Sequence, residues 1–319
     1  MGVNRPVRSK PLPMSSPHPA HASAPFPLLT AQLRRLTAEL RGTAASFAQI
    51  YFIPSASAGL LLFAVLTLAD GTVAISGFAA SFVASAVAIG LRLPRESRHT
   101  GLYGYNGALT GIAFGALWQP NAIYALWLAI CVCLTVMATA ALARRNLPAL
   151  TGPFVGVMMG SWAMQPGLGL TPRIGALDCG TGTPGFVFCA VGQVVFVAPL
   201  VLGLLVWYVL ALWNLRATLW ALAAAVVVWS GIALTAAQWP ALAGQAVGIG
   251  VNAFLAALGL GVFGRSPALR FVGAGLASLL CVALGTWLGP LGWPYFTLPF
   301  NLAVWIVLAW SDAPRPLVR

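Results

Sequence analysis

Long runs without a single Asp, Glu, Lys or Arg dominate the chain: 46–69, 71–91, 99–143, 146–172, 179–215, 217–264 and 271–311. Even the shortest reaches the ~20 residues that a helix needs to cross a hydrocarbon core, and several suffice for two crossings. Divided at Pro, Gly and charge signals, the runs predict ten segments of near-crossing length: 46–69, 72–91, 101–118, 121–143, 147–165, 185–211, 217–237, 244–262, 268–289 and 293–311. Ahead of them, Leu28 to Arg41 sets Leu33, Leu36 and Leu40 among Arg34, Arg35 and Glu39, the pattern of an amphipathic helix at a membrane surface. The residues before it are rich in Pro, Ser and His, carry Arg5, Arg8 and Lys10, and lack the apolar core of a secretory signal; they read as a disordered cytoplasmic tail.

Composition strengthens this picture. With 60% hydrophobic and 7% charged residues, the sequence lies outside the range of soluble domains and reads as an all-α integral membrane protein. The net charge of +12 does not point to nucleic acid, because the basic residues sit at segment ends and are not interleaved with aromatics. With the N-terminus inside, the connections that fall on the cytoplasmic side carry Arg92, Arg95, Arg98, Arg144, Arg145, Arg216, Arg265, Arg270, Arg315 and Arg319, while the external ones carry Arg173 alone. That asymmetry obeys the positive-inside rule and predicts cytoplasmic termini. Short loops and the lack of processing signals suggest a bacterial inner membrane. The five cysteines, Cys131, Cys133, Cys179, Cys189 and Cys281, show no metal-site spacing and read as small core residues.

Three polar motifs recur at nearly constant offset. Pro148-Ala-Leu-Thr151-Gly-Pro153-Phe154 matches Pro294-Tyr-Phe-Thr297-Leu-Pro299-Phe300, with 297 − 151 = 146. Gly104-Tyr105-Asn106-Gly107-Ala108-Leu109 matches Gly250-Val251-Asn252-Ala253-Phe254-Leu255 at the same offset, and Gln49-Ile50-Tyr51-Phe52 matches Gln193-Val194-Val195-Phe196 at 193 − 49 = 144. Five crossings per half is an odd number, so the second copy must enter from the opposite side. The predicted architecture is therefore two inverted-topology five-segment repeats, with room for re-entrant pore helices, and a site near the midplane. The chain divides into a tail and interfacial helix (1–43), a first membrane repeat (44–166), an external loop (167–184), a second repeat (185–311) and a cytoplasmic C-terminal tail (312–319).

The chemistry open to such a chain is narrow. His18, His21 and His99 lie outside the apolar segments, which hold no Asp, Glu, Lys or Arg; proton relays, ion coupling and intramembrane proteolysis lack their usual parts, and an enzyme is not expected. The matched polar residues are neutral. The two Asn read mainly as ties for backbone freed by Pro or Gly. Thr151 and Thr297 stand beside prolines that strip carbonyls of their helical partners, and such carbonyls can only line a wet path. Together with aromatic walls, they describe a slot for a small, planar, uncharged donor, whereas an ion would find no compensating charge.

At this point the residues Gly101-Leu-Tyr-Gly-Tyr-Asn-Gly-Ala-Leu109, Trp293-Pro-Tyr-Phe-Thr-Leu-Pro-Phe-Asn301 and the openings at Gln49 and Gln193 are decisive: the sequence resembles the urea transporters over about residues 40–311. The resemblance implies a homotrimer with a pore in every protomer that passes urea passively, without cofactor or metal, in contact with membrane lipid. It implies that Gln49 and Gln193 serve two outer binding positions, walled by Ile50, Phe52, Val194 and Phe196. Tyr105, Leu109, Val251 and Leu255 would complete the slots, and Thr151 with Thr297 would supply acceptors at the constriction. The chain departs from the family pattern at Val155, where the first half lacks Asn, and at Val251, where the second lacks an aromatic wall. The alternatives are a channel for another small amide or for water, and a non-transporting membrane scaffold.

Overall fold

The computed structural model describes residues 27–173, 179, 185–235 and 237–311; the predicted N-terminal tail, most of the loop at 174–184 and the C-terminal tail lie outside them. Among the described residues the fold is built from helices: α1 (Pro27–Gln49), α2 (Ala56–Ala69), α3 (Gly71–Gly90), α4 (Arg95–His99), α5 (Tyr105–Leu117), α6 (Ala122–Arg144), α7 (Gly152–Leu168), α8 (Phe186–Gln193), α9 (Leu200–Thr235), α10 (Pro240–Val262), α11 (Pro267–Leu288) and α12 (Leu298–Trp310). The described residues up to Thr37 belong to a unit of their own, in which Leu33 and Leu36 are exposed; the body begins at Ala38.

Among the described residues, five helices are long and apolar enough to cross a membrane: Gly71–Gly90, Ala122–Arg144, Leu200–Thr235, Gly244–Val262 and Pro267–Leu291. Their outer faces carry Ile75, Phe82, Leu126, Val201, Leu212, Val227 and Leu279, all exposed, which is the surface of a protein that meets lipid. The remaining predicted segments differ in form. The segment at 101–118 is realised as the 13-residue α5, about 20 Å long, shorter than a hydrocarbon core. The segment at 185–211 is split between α8 and the start of α9.

The splits have local causes. After α1 the chain turns through Phe52 at φ 63°, passes Pro54, and starts α2 with Ser55 capping Ala58 N at 3.3 Å. After α8 it turns through Phe196 at φ 59° and passes Pro199 into α9. The turns share their hydrogen bonds: Phe52 N donates to Gln49 O at 2.9 Å and Ile53 N to Ala48 O at 3.1 Å, while Phe196 N donates to Gln193 O and Val197 N to Gly192 O, both at 3.1 Å. Asp70 then ends α2 and opens α3, its Oδ1 accepting from Thr72 N at 2.8 Å and Val73 N at 3.1 Å. Asn214 does the same inside α9, where its backbone leaves the helical region (φ −151°, ψ 73°) and its Oδ1 accepts from Ala217 N at 3.1 Å. The two caps stand at 214 − 70 = 144, the offset of the paired Gln residues, and Asn214 divides α9 into two arms that correspond to α2 and α3.

The core is centred on α5 and α10. Tyr105 to Gly115 are buried without interruption, so α5 presents no face to solvent or lipid. Small residues make this possible: a Cβ on Gly107 would stand 2.8 Å from Ala84 Cβ, and one on Gly111 would stand 2.5 Å from Ala80 Cβ, so α5 lies directly against α3. Glu39 takes Nε and Nη2 of Arg98 at 3.2 and 2.5 Å, joining the body's part of α1 to α4.

Cys179 and Cys189 are buried in the core, as expected, but they are not free thiols. Cys179 and Cys189 form a disulfide across a Cα separation of 5.9 Å, pinning the segment before α8 to α8 itself. Cys131 and Cys281 are buried free thiols, as expected, and Cys133 is half-buried.

Candidate functional site

Both halves build the same local device from an Asn, a left-handed residue and a helix start. Leu150 and Phe296 each adopt φ 47°, a conformation that a bulky side chain takes only when its surroundings hold it there. Asn106 is the holder in the first half: its Nδ2 donates to Leu150 O at 3.1 Å and its Oδ1 accepts from Phe154 N at 3.2 Å, near the start of α7. Asn252 repeats this on Phe296 O at 3.1 Å and Phe300 N at 2.9 Å, at the start of α12. Each Asn therefore satisfies a freed carbonyl and an orphan helix N–H that are buried away from water. Tyr105 adds a hydroxyl donor to Leu150 O.

These clamps bring the residues between them together. Thr151 and Thr297, each the residue just before its helix, meet with their Oγ1 atoms 2.7 Å apart although 146 positions separate them in sequence. Asn301 Nδ2 donates to Thr151 Oγ1 at 2.9 Å and to Thr297 O at 2.7 Å, and its Oδ1 is buried without a partner. The bookkeeping of this cluster does not depend on which hydroxyl donates. If Thr151 donates to Thr297, the Thr297 proton and one lone pair on each oxygen stay free. If Thr297 donates, the Thr151 proton and two lone pairs on Thr297 stay free. In both arrangements the pair retains one O–H donor and two acceptor positions.

A cavity of about 340 Å³ joins the second-half residues to this cluster. Gln193, Val194, Phe196, Val251 and Thr297, all singled out from sequence, line it together with Phe154 and Tyr295. Gln193 is buried and its Nε2 has no partner; Gln49, at the matching position in the first half, has an unpartnered Oε1. Phe52 sets its ring edge against Phe300, centroids 6.2 Å apart, and Phe154 does so against Phe296 at 5.7 Å. Ile50, Tyr105, Leu109 and Leu255 are buried in the core, outside that cavity. Tyr51 Oη donates to Val191 O at 2.9 Å, tying the opening of one half to α8 of the other.

Tyr295 is a cavity residue that the sequence did not single out as part of the site. Its hydroxyl occupies the space where Gly248 lacks a side chain, 2.2 Å from where a Cβ would stand. The matching first-half residue is Ala149. The signal was present: the half that has Val251 where the other has Tyr105 also has a Tyr where the other has Ala.

Among the described residues, no group of three or more His, Cys, Asp or Glu could hold a metal ion. The candidate site is a buried, uncharged cluster of amides, hydroxyls and rings within a multi-pass helical membrane protein. The sequence comparison gives that class its family. The family model for urea transporters matches residues 40–312, and the chain belongs to the urea transporter family.

Proposed function

We propose that the chain is a passive channel for urea, with a pore inside each protomer. The observation that carries this reading is the direct pairing of Thr151 and Thr297 between two Asn-clamped helix starts. One donor and two acceptors on an uncharged pair match a solute that carries both N–H groups and a carbonyl. The flanking rings suit a flat molecule, and a buried ion would meet no opposite charge there. Gln49 and Gln193 supply amides at the outer positions, with Ile50, Phe52, Val194 and Phe196 as walls. Tyr105, Leu109, Val251 and Leu255 complete the slots, Tyr295 standing in for the ring that Val251 lacks.

The reading includes ten crossings in two inverted repeats, with α5 and α10 as the central elements, and a homotrimer in a bacterial inner membrane with both termini cytoplasmic. The repeated turns at Phe52 and Phe196, the repeated caps at Asp70 and Asn214 and the repeated Asn clamps support two copies of one plan. Arg173 is the one basic loop residue that this topology puts on the external side, and the Cys179–Cys189 disulfide accompanies it there, in keeping with an oxidising face.

Urea flux into proteoliposomes tests this. Thr297→Val keeps side-chain volume and removes one hydroxyl; flux should fall about five- to tenfold, the equivalent of one lost hydrogen bond, while assembly stays intact. Gln193→Leu should weaken access from one side. Flux that is unchanged in both variants, or that depends on membrane potential in the parent protein, overturns the reading. Competition with thiourea, acetamide and formamide separates urea from other small amides, and an absence of any flux favours a scaffold.

A further inference from the structure

Two arginines near other loops of the body have carboxylate partners. Arg98 is held by Glu39, and Arg173 Nη2 meets Asp70 Oδ2 at 2.8 Å. The turn between α10 and α11 is different. Arg265 follows Gly264 (φ 71°) in that turn, its backbone N–H donating to Leu260 O at 3.0 Å. Its side chain is folded inward, leaving the residue only 6% exposed, and both Nε and Nη2 are buried without a hydrogen-bond partner. Arg270, in the first turn of α11, donates Nε to Arg265 O at 3.0 Å and leaves Nη1 buried and unpartnered. Arg216, exposed in the second arm of α9, lies close enough to Arg270 to interact with it electrostatically. The described carboxylates are Glu39, Asp70 and Glu96, and none forms an ion pair with these arginines.

A buried guanidinium with idle donors beside a second one is an arrangement that desolvation and like-charge repulsion oppose, and that a bound anion would relieve. We propose that Arg265 and Arg270, with Arg216 at the rim, form a binding site for a phosphate group. The orphaned donors come from two planar forks, the geometry that suits the several acceptor oxygens of a tetrahedral oxyanion. The site lies between two helices that are long and apolar enough to cross the membrane, Gly244–Val262 and Pro267–Leu291, and so at the boundary depth of phospholipid phosphates. A phospholipid headgroup and free phosphate share this chemistry. The passage through Thr151 and Thr297 involves none of the three arginines.

The test follows the melting temperature of the purified full-length protein in an uncharged detergent as dioleoylphosphatidylglycerol, dioleoylphosphatidylcholine or inorganic phosphate is added. Phosphatidylglycerol should raise the melting temperature of the parent protein and phosphatidylcholine should raise it less. Arg265→Gln and Arg270→Gln should each weaken the apparent affinity by about tenfold, and Arg145→Gln, on another loop, should not. Without added lipid, Arg265→Gln should be at least as stable as the parent, because it removes an uncompensated charge; a residue with a merely structural role would instead lower the melting temperature. An equal shift with inorganic phosphate supports the site and assigns it to a soluble anion, whereas a shift with phosphatidylglycerol alone assigns it to lipid. The proposal is overturned if neither probe shifts the parent protein, or if both Gln variants retain the full shift. Arg270 is only half-buried, so its variant carries the test even if Arg265→Gln does not fold.

Discussion

The two halves of the membrane body share their backbone devices and differ in the side chains set on them. Both turn through a left-handed Phe, cap the next helix with Asp70 or Asn214, and clamp a left-handed residue with Asn106 or Asn252. On that common frame the first half carries Tyr105, Ala149 and Val155, and the second Val251, Tyr295 and Asn301. Backbone that must stay buried without regular pairing tolerates little variation, because each unpaired group is expensive. Side chains facing a cavity are free to trade places provided the volume and polarity of the wall are kept.

The largest effect should come from breaking the clamps. Asn252→Ala strands Phe296 O and Phe300 N, and should lower stability by about 2–4 kcal/mol, read as a loss of melting temperature in detergent. Asn106→Ala should cost about 1 kcal/mol less, because Leu150 O keeps the Tyr105 hydroxyl as donor. Equal losses in the two variants would show that the Tyr105 bond does not support the clamp.

Next in size is the hydroxyl pair. Thr151→Val and Thr297→Val should reduce urea flux by similar factors, since either removes the same shared bond. Thr151→Val should be the less stable by about 1 kcal/mol, because Thr151 also receives Asn301 Nδ2. A smaller effect is expected at Gly248→Ala, where the new Cβ would drive the Tyr295 hydroxyl toward the cavity; flux should fall about two- to threefold, and the double variant with Tyr295→Phe should recover part of it.

The smallest effect concerns Asp70, which the first half has where the second has neutral Asn214. Burial works to raise the Asp70 pKa, but the hydrogen bond from Arg173, the amides of Val73 and Thr72 and the nearby Arg173 charge together hold it below its ordinary value. A carboxyl lowered on folding stabilises the protein above its unfolded pKa, and that contribution fades as pH falls through the lower folded value. The ion pair is partly exposed, so the loss should be about 0.5 kcal/mol. Asp70→Asn, which keeps a capping oxygen, should remove this acid dependence at little cost, whereas Asp70→Ala should cost about 1 kcal/mol more through the lost cap.

Much of this plan was legible because charge-free runs and repeated neutral polar residues are strong signals in a chain with so few ionisable groups. The Thr residues were paired from sequence, and they meet. The breaks in the helices were less legible: Phe52, Phe196, Leu150 and Phe296 occupy a backbone region that residue type assigns to Gly or Asn, the first two within locally bonded turns and the last two under the Asn clamps. Asn214 was hidden inside a hydrophobic run, and nothing in the spacing of Cys179 and Cys189 reveals that the two are joined. Tyr295 and Arg265 owe their importance to what is missing around them, a side chain at Gly248 and a carboxylate near the α10–α11 turn, and such vacancies have no sequence pattern.

The free proton of the Thr151–Thr297 pair can reside on either oxygen without changing the count of one donor and two acceptors, but it does change their placement: Asn301 occupies a lone pair of Thr151 alone, so both acceptors gather on Thr297 when that residue donates. On the proposed channel reading, the two threonines therefore never offer identical contacts to solutes from opposite faces, and an amide present in one half alone is what tells the two directions apart.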